Sequence, residues 1–261
     1  MSVLGYVAAV VMGLSLGLIG GGGSILTVPI LVYLFGVTPL LASSYSLFLV
    51  GATALVGGVA YLKKGEVDIK TGVVFALPSL LGITLVRAYV LPWLPDPVLF
   101  GLSKDDFILF IFALLMVLAS FSMLKNSPPK QESKSVSEGL RLSLIGAEGL
   151  IVGGVTGLVG AGGGFLIIPA LVALAGVPMK KAVGTSLLII AVKSLLGFAT
   201  DLERGVQMDG VLLMTIFGVA LLGLGIGMLL SKYVNEKALK KGFGIFVLIM
   251  GTFVLWDSLR H

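Results

Sequence analysis

Long uncharged stretches of apolar residues, separated by short polar or glycine-rich breaks, make up most of this chain. No charged side chain precedes Lys63. Further uncharged runs cover 71–86, 107–124, 149–179, 210–231 and 242–256. Because about 20 apolar residues in a helix cross the ~30 Å hydrocarbon layer of a bilayer, each run is expected to form a spanning or re-entrant helix. The pattern predicts an all-α, polytopic membrane protein.

The chain also contains an internal repeat at an offset of 140 residues. The matched positions of the first half are Gly13, Gly17, Gly20, Gly22, Gly23, Pro29, Leu31, Gly36, Val37, Ala42, Ser46 and Leu47, and those of the second half are Gly153, Gly157, Gly160, Gly162, Gly163, Pro169, Leu171, Gly176, Val177, Ala182, Ser186 and Leu187. The repeat predicts two homologous membrane units, 1–124 and 139–261, joined by a Ser/Lys/Pro-rich linker at 125–138.

Both halves are predicted to contain the same series of helices. A first helix, at about 4–20 or 143–160, reaches a glycine cluster, and a short apolar segment follows at 24–35 or 164–175. Three longer helices come next, at about 38–62, 69–91 and 105–124, and again at about 180–200, 209–231 and 238–257. The short segments, ~18 Å long as helices, cannot cross alone. Whether they re-enter or cross as broken helices stays open, but both options give an odd number of crossings and hence inverted halves.

The distribution of basic residues favours this inverted arrangement. It places 13 Lys and Arg on one face and only Arg87, Lys104, Arg204 and Arg260 on the other. The 13 are Lys63, Lys64, Lys70, Lys125, Lys130, Lys134, Arg141, Lys180, Lys181, Lys232, Lys237, Lys240 and Lys241. Basic residues concentrate on the cytoplasmic side of membrane proteins. The linker is therefore predicted to be cytoplasmic, and both termini are predicted to lie on the outer side of the cell (inner) membrane.

Composition excludes several function classes. Only 12% of residues are charged, against roughly 25% in a soluble domain. Cysteine is absent and the single histidine is the C-terminal residue. No metal site, cofactor or enzyme activity is therefore predicted. The net charge of +5 follows from membrane topology, and no nucleic-acid partner is expected.

The glycine clusters at 20–24 and 160–164 are the first candidates for a binding site. Glycine exposes backbone N–H groups, and a helix that restarts after the break directs a partial positive charge of ~0.5 towards it. An anion at the membrane midplane is the expected ligand. Under the alternative interpretation these glycines serve close helix packing, which accounts well for the four-residue spacing of Gly13, Gly17, Gly153 and Gly157.

Hydroxyl and charged side chains add further candidates. Ser44, Ser46, Thr185 and Ser186 begin the long helices after the short segments; they either complete an anion's shell or bond back to their own helix carbonyls.

One lysine is predicted to lie deep in the membrane. Lys193 stands ~18 Å into its helix, as a substrate ligand or as an ion-pair partner of Glu148. Arg87, near a helix end, is expected to snorkel to the outer interface.

These motifs resemble those of the sulfite exporter TauE/SafE family of membrane permeases. The pattern G-G-G-G-S-I-L-T-V-P with G-V-T-P-L-L-A-S-S-Y-S is echoed by G-A-G-G-G-F-L-I-I-P with G-V-P-M-K-K-A-V-G-T-S. The resemblance implies transport of sulfite, sulfonates or related anions. It also implies functional positions at Gly21, Gly22, Gly23, Gly162, Gly163, Gly164, Thr185 and Ser186. The first half departs from the more usual G-T-S by having Ser44, Tyr45 and Ser46.

The predicted function is a secondary transporter of a small anion, acting by alternating access. The candidate ligands are Gly21, Gly22, Gly23, Ser24, Ser44, Ser46, Gly162, Gly163, Gly164, Thr185, Ser186 and Lys193, with Glu148 and Arg87 as coupling or ion-pair residues. An anion channel or a carboxylate carrier is the alternative. The expected partners are the anion and the lipid bilayer. The sequence is compatible with a homo-oligomer and does not decide the oligomeric state.

Overall fold

The structure, a computed structural model, describes residues 3–98, 102–124, 138–160, 164–173, 176–231, 233 and 236–258. Within these ranges the chain is helical, with no β-strand. The predicted linker, apart from its last residue, lies outside the described residues. The prediction of an all-α membrane fold is confirmed.

In the described ranges ten helical elements follow one another, five in each half. Those of the first half are α1 (Val3–Ile19), α2 (Gly20–Leu26 as 3-10 helix, Thr27–Pro29 as α-helix, Ile30–Leu34 as π-helix), α3 (Pro39–Lys63), α4 (Ile69–Leu85, a π-helical Val86–Val90 and Leu91–Trp93) and α5 (Lys104–Leu124). Those of the second half are α6 (Glu138–Val159), α7 (Gly164–Ala173), α8 (Met179–Glu203), α9 (Gly210–Leu230) and α10 (Glu236–Ser258).

Local sequence signals explain where these helices begin and end. The Asp68 carboxylate accepts a hydrogen bond from the backbone N–H of Thr71, and the Asp209 carboxylate accepts one from Leu212, so each aspartate caps the helix that follows it. Six glycines of the described residues adopt positive φ, which favours glycine over other residues. They form three pairs at the repeat offset: Gly20 and Gly160, Gly36 and Gly176, and Gly65 and Gly205. The sequence repeat is therefore also a repeat of backbone conformation.

Five helices of the described chain are long and apolar enough to cross a membrane. They are Pro39–Lys63, Ile69–Trp93, Leu142–Val159, Met179–Glu203 and Gly210–Leu230. Large apolar side chains such as Leu81, Leu222 and Leu229 face outwards on them, where lipid would contact them. The segment Ser24–Leu34 and the 10-residue α7 are short, as predicted.

Helices of one half pack mainly on helices of the other. α1 lies along α9, where Gly13 meets the carbonyl of Ala220, and α6 lies along α4, where Gly153 meets the carbonyl of Ser79. At Gly17 and Gly157 an added Cβ would lie 2.5 Å from the Leu224 carbonyl oxygen and 3.2 Å from the Ile83 Cα, respectively. The packing interpretation of this four-residue ladder is confirmed: small residues let the backbones approach closely.

The two third helices, α3 and α8, form the central contact between the halves. Gly51 packs on Ser194 and Leu195, whereas Gly58 packs on Leu188. Since residue numbers rise along one helix as they fall along the other, α3 and α8 run antiparallel. An apolar core surrounds this contact and contains residues of both halves, among them Leu49 and Ile216.

Candidate functional site

The two glycine breaks meet where the halves join. A Cβ on Gly21 would lie 2.5 Å from the Cα of Gly164, and a Cβ on Gly164 would overlap the Gly21 backbone. Gly22 and Gly23 continue the 3-10 helix of α2, and Gly162 and Gly163 lie outside the described residues. Close packing is therefore a sufficient reason for glycine at 21 and 164, whatever the remaining glycines bind.

Each break also lies against the third helix of the other half. Gly160 packs on the backbone of Ser43 in α3, and Gly20 packs on Val183 in α8. Ser43 and Val183 are equivalent positions of the repeat, separated by 140 residues. The start of each third helix is thus the element that contacts the opposite break.

Four of the predicted hydroxyl ligands fall into three groups. Ser24 donates to the carbonyl of Gly21 and Ser186 to that of Val183, both at 2.8 Å, so these two bond back to their own segment. Thr185 instead accepts from the Asp68 N–H of the other half at 2.8 Å. The fully buried Ser46 Oγ has no hydrogen-bond partner among the described residues. Of these four, Ser46 alone is both buried and unpaired.

Arg87 is buried in an ion pair, so the prediction that it snorkels to the interface is wrong. Its Nη1 lies 2.5 Å from Asp201 Oδ2, and that carboxylate also accepts a 2.6 Å hydrogen bond from Ser44. Nη1 lies 3.1 Å from Ser44 Oγ, and Nη2 donates to Ser43 Oγ at 3.0 Å. The buried Asp201 carboxylate of α8 offsets part of the desolvation free energy of the Arg87 guanidinium, because the two opposite charges attract each other.

Lys193 is fully buried near the middle of the 25-residue α8. It does not form the predicted ion pair with Glu148: Lys193 Nζ and Glu148 Oε2 both lack a hydrogen-bond partner in the described part of the chain. The reason is that α6, which carries Glu148, packs on α4 of the other half rather than along α8. Burial of a lysine amine without a carboxylate partner is costly, and such residues inside membranes are rare.

Sequence reasoning missed several other buried polar groups. In the described residues the hydroxyls of Thr53, Ser79 and Ser194 are buried without a hydrogen-bond partner. Thr53 is the repeat equivalent of Lys193, so the antiparallel contact of α3 and α8 carries one polar side chain from each half at this position. Applying the 140-residue offset to position 193 would have identified Thr53. No three acidic or histidine side chains of the described chain lie close enough to hold a metal.

Comparison with known proteins assigns this chain to a family. The family model described as "Sulfite exporter TauE/SafE" matches residues 6–254. The chain belongs to the sulfite exporter TauE/SafE family. The predicted resemblance is thereby confirmed, and the chain is a multi-pass membrane transport protein rather than an enzyme.

Curated relatives of this TauE/SafE protein cover nearly the whole chain. A "Probable membrane transporter protein" of Xylella fastidiosa (strain 9a5c) is 32% identical over 253 residues, 95% of this chain and 92% of that protein. "Probable membrane transporter protein YunE" of Bacillus subtilis (strain 168) is 28% identical over 279 residues, 98% of this chain and 99% of that protein. No solved structure matches the chain.

Proposed function

We propose that this TauE/SafE protein is a secondary transporter that moves a small anion, a sulfur oxyanion such as sulfite or an organosulfonate, by alternating access. The observation that carries the proposal is Lys193, a fully buried lysine whose Nζ has no hydrogen-bond partner among the described residues. An ionised side chain at this depth costs a few kcal/mol, so a transporter would retain it for its ligand.

The first glycine break contacts α8 about one turn from this lysine. Gly21 packs against the side chain of Ile190, one helical turn before Lys193. α7 begins at Gly164, on the other side of the same contact. Backbone N–H groups at a break of this kind are suited to an oxyanion, and the lysine supplies the charge that amides lack. Sulfur chemistry enters through the family description alone.

Alternating access requires two similar halves that exchange inward and outward shapes. The reciprocal contacts of α1 with α9 and of α4 with α6, together with the antiparallel α3 and α8, support an inverted arrangement of the two repeats. An anion that leaves a negative cytoplasm gains ~2.3 kcal/mol per charge at 100 mV, so the membrane potential favours export.

The topology can be tested by cysteine labelling, because the chain has no cysteine of its own. We expect Ser133→Cys in the linker to react with a membrane-impermeant maleimide only after the cells are opened. Ser2→Cys and Ser258→Cys should react in intact cells, since both termini are proposed to lie outside. Labelling of position 133 alone in intact cells would reverse the proposed orientation, and labelling of all three positions, or of none, would overturn the inverted arrangement.

Transport can be tested in proteoliposomes with a panel of sulfite, sulfate, thiosulfate, small sulfonates and small carboxylates, with and without a pH gradient. We expect saturable uptake at low turnover for at least one sulfur oxyanion or sulfonate. Uptake that does not saturate would indicate a channel, and uptake confined to carboxylates would replace the sulfur-anion assignment. Absence of uptake for the whole panel by protein that is folded would contradict anion transport.

A further inference from the structure

We infer that Arg87, Asp201, Ser43 and Ser44 form an ionic latch that closes one of two entrances to the anion site, and that the repeat-equivalent positions at the other entrance do not form such an ion pair. The inference rests on the proposed alternating-access function. The latch keeps one entrance closed in the ligand-free protein, a property that membership of the TauE/SafE family does not define.

The latch joins both halves at a glycine break. Ser43 and Ser44 belong to α3, Arg87 to α4, and Asp201 to α8 of the other half. Gly160, at the second break, packs directly on the backbone of Ser43. Any movement that separates the π-helical part of α4 from the end of α8 must therefore break the ion pair, and any movement of the start of α3 away from α8 must break the hydrogen bond from Ser44 to Asp201.

A second contact strengthens the same junction. The Arg204 guanidinium, just beyond α8, donates to the carbonyl of Ala88 in the π-helical part of α4. Arg204 is exposed, whereas Arg87 is 1% exposed. Water therefore screens the contact of Arg204 with the Ala88 carbonyl, and the buried pair of Arg87 and Asp201 is the stronger electrostatic interaction at this junction.

The repeat shows that the latch is one-sided. α3 and α8 correspond at an offset of 140, and α4 and α9 at 141, because the loop before α9 has one extra residue. These offsets carry the latch residues Ser43, Ser44, Arg87 and Asp201 onto Val183, Gly184, Met228 and Tyr61. None of the latter is charged at neutral pH. The equivalent junction closes by close packing of Gly184 against the Glu66 carbonyl and the Tyr61 side chain, together with the hydrogen bond from the Asp68 N–H to Thr185.

Backbone conformation differs between the two junctions in the same way. α4 is π-helical over Val86–Val90, where Arg87 lies, whereas α9 continues as a regular helix to Leu230. Single π-helical turns inside α-helices are uncommon overall, and those that occur frequently lie at functional sites. Within it Arg87 is buried while Tyr89 is 62% exposed.

An ion pair at one junction biases the equilibrium between the two access states. A buried pair adds little net stability compared with apolar side chains of similar size, but separating its charges in a dry environment is costly. Opening the latched entrance therefore requires the free energy of separating this pair, whereas opening the equivalent entrance does not. The resting protein should therefore keep the latched entrance closed, and a ligand must offset the latch to open it.

Cysteine accessibility tests the latch without any substrate. Ser46→Cys, one turn from Ser43, reports the latched entrance, and Ser186→Cys reports the equivalent one. A membrane-impermeant maleimide is applied separately to each face of oriented vesicles. We expect Asp201→Asn to raise the labelling rate of Ser46→Cys from one face at least about tenfold, the population change for ~1.4 kcal/mol. Labelling of Ser186→Cys should stay the same or fall.

Two further variants keep this test decisive. The double variant Arg87→Met with Asp201→Leu removes both charges at nearly constant volume, and it should show the same one-sided increase if Asp201→Asn fails to fold. Met228→Leu, at the repeat equivalent of Arg87, is the matched control and should change neither rate.

Unchanged labelling in the folded variants would overturn the latch, as would equal increases at positions 46 and 186, which indicate general loosening. Because the assay contains no substrate, a failed latch and a failed transport panel are separate results.

Discussion

Replacing Lys193 with Met should weaken anion binding by about 10- to 100-fold and leave the protein folded. The factor corresponds to the ~1.5–3 kcal/mol of a hydrogen bond to a charged group. Met has a similar length and no charge, so it removes the buried ammonium without opening a cavity. Binding is measured as the ligand-dependent rise in melting temperature of the purified variant, with the anion that the uptake panel identifies.

Stability should change in the opposite direction. A buried ammonium with no partner among the described residues costs free energy in the ligand-free protein, and its removal relieves this cost. We therefore expect the ligand-free melting temperature of Lys193→Met to equal or exceed that of the wild type. Loss of binding with gained stability is the behaviour of a site residue, since removal of a packing residue usually lowers both.

The matched control is Lys181→Met, at the exposed start of the same helix. It removes an equal charge far from the centre of α8 and should leave binding unchanged. If Lys193→Met binds the anion as tightly as the wild type, Lys193 is not a ligand. If it does not accumulate as folded protein, an unrecognised structural role of the lysine is indicated instead.

Element positions were predictable from sequence because the signals are local. Uncharged length, glycine breaks and proline placed the third helices at about 38–62 and 180–200, against the observed Pro39–Lys63 and Met179–Glu203. The three residues missed at the end of the second include Asp201. The repeat already contained this information, since Lys63 plus 140 is Glu203.

Side-chain partners were not predictable, because they depend on which helices touch. The position of Arg87 near a helix end predicts snorkelling to the interface, yet its partner Asp201 lies 114 residues away on a helix of the other half. Glu148 is a predicted partner of Lys193 because both belong to the second half. The structure interleaves the halves, so proximity in sequence indicates little about contact across the core.

Adding a methyl group at the meeting point of the breaks should destabilise the whole fold. In Gly21→Ala the new Cβ would lie 2.5 Å from the Gly164 Cα, and in Gly164→Ala it would overlap the Gly21 backbone. Backbone atoms cannot rotate away as a side chain can, so α2 and α7 must move apart. Overpacking of this kind costs typically about 1–3 kcal/mol. Both variants should therefore melt at a lower temperature than the wild type and give less folded protein on size exclusion.

Gly218→Ala is the matched control, because an added Cβ there meets nothing within 4 Å on helix α9. It should be tolerated or stabilise the helix by about 0.5–1 kcal/mol, the usual advantage of Ala over Gly. The double variant Gly21→Ala with Gly164→Ala should cost less than the sum of the two, since the first methyl group already separates the backbones that the second would meet. Unchanged melting of both single variants would show that the breaks do not touch. Normal melting with lost anion binding would instead identify these glycines as ligands rather than packing residues.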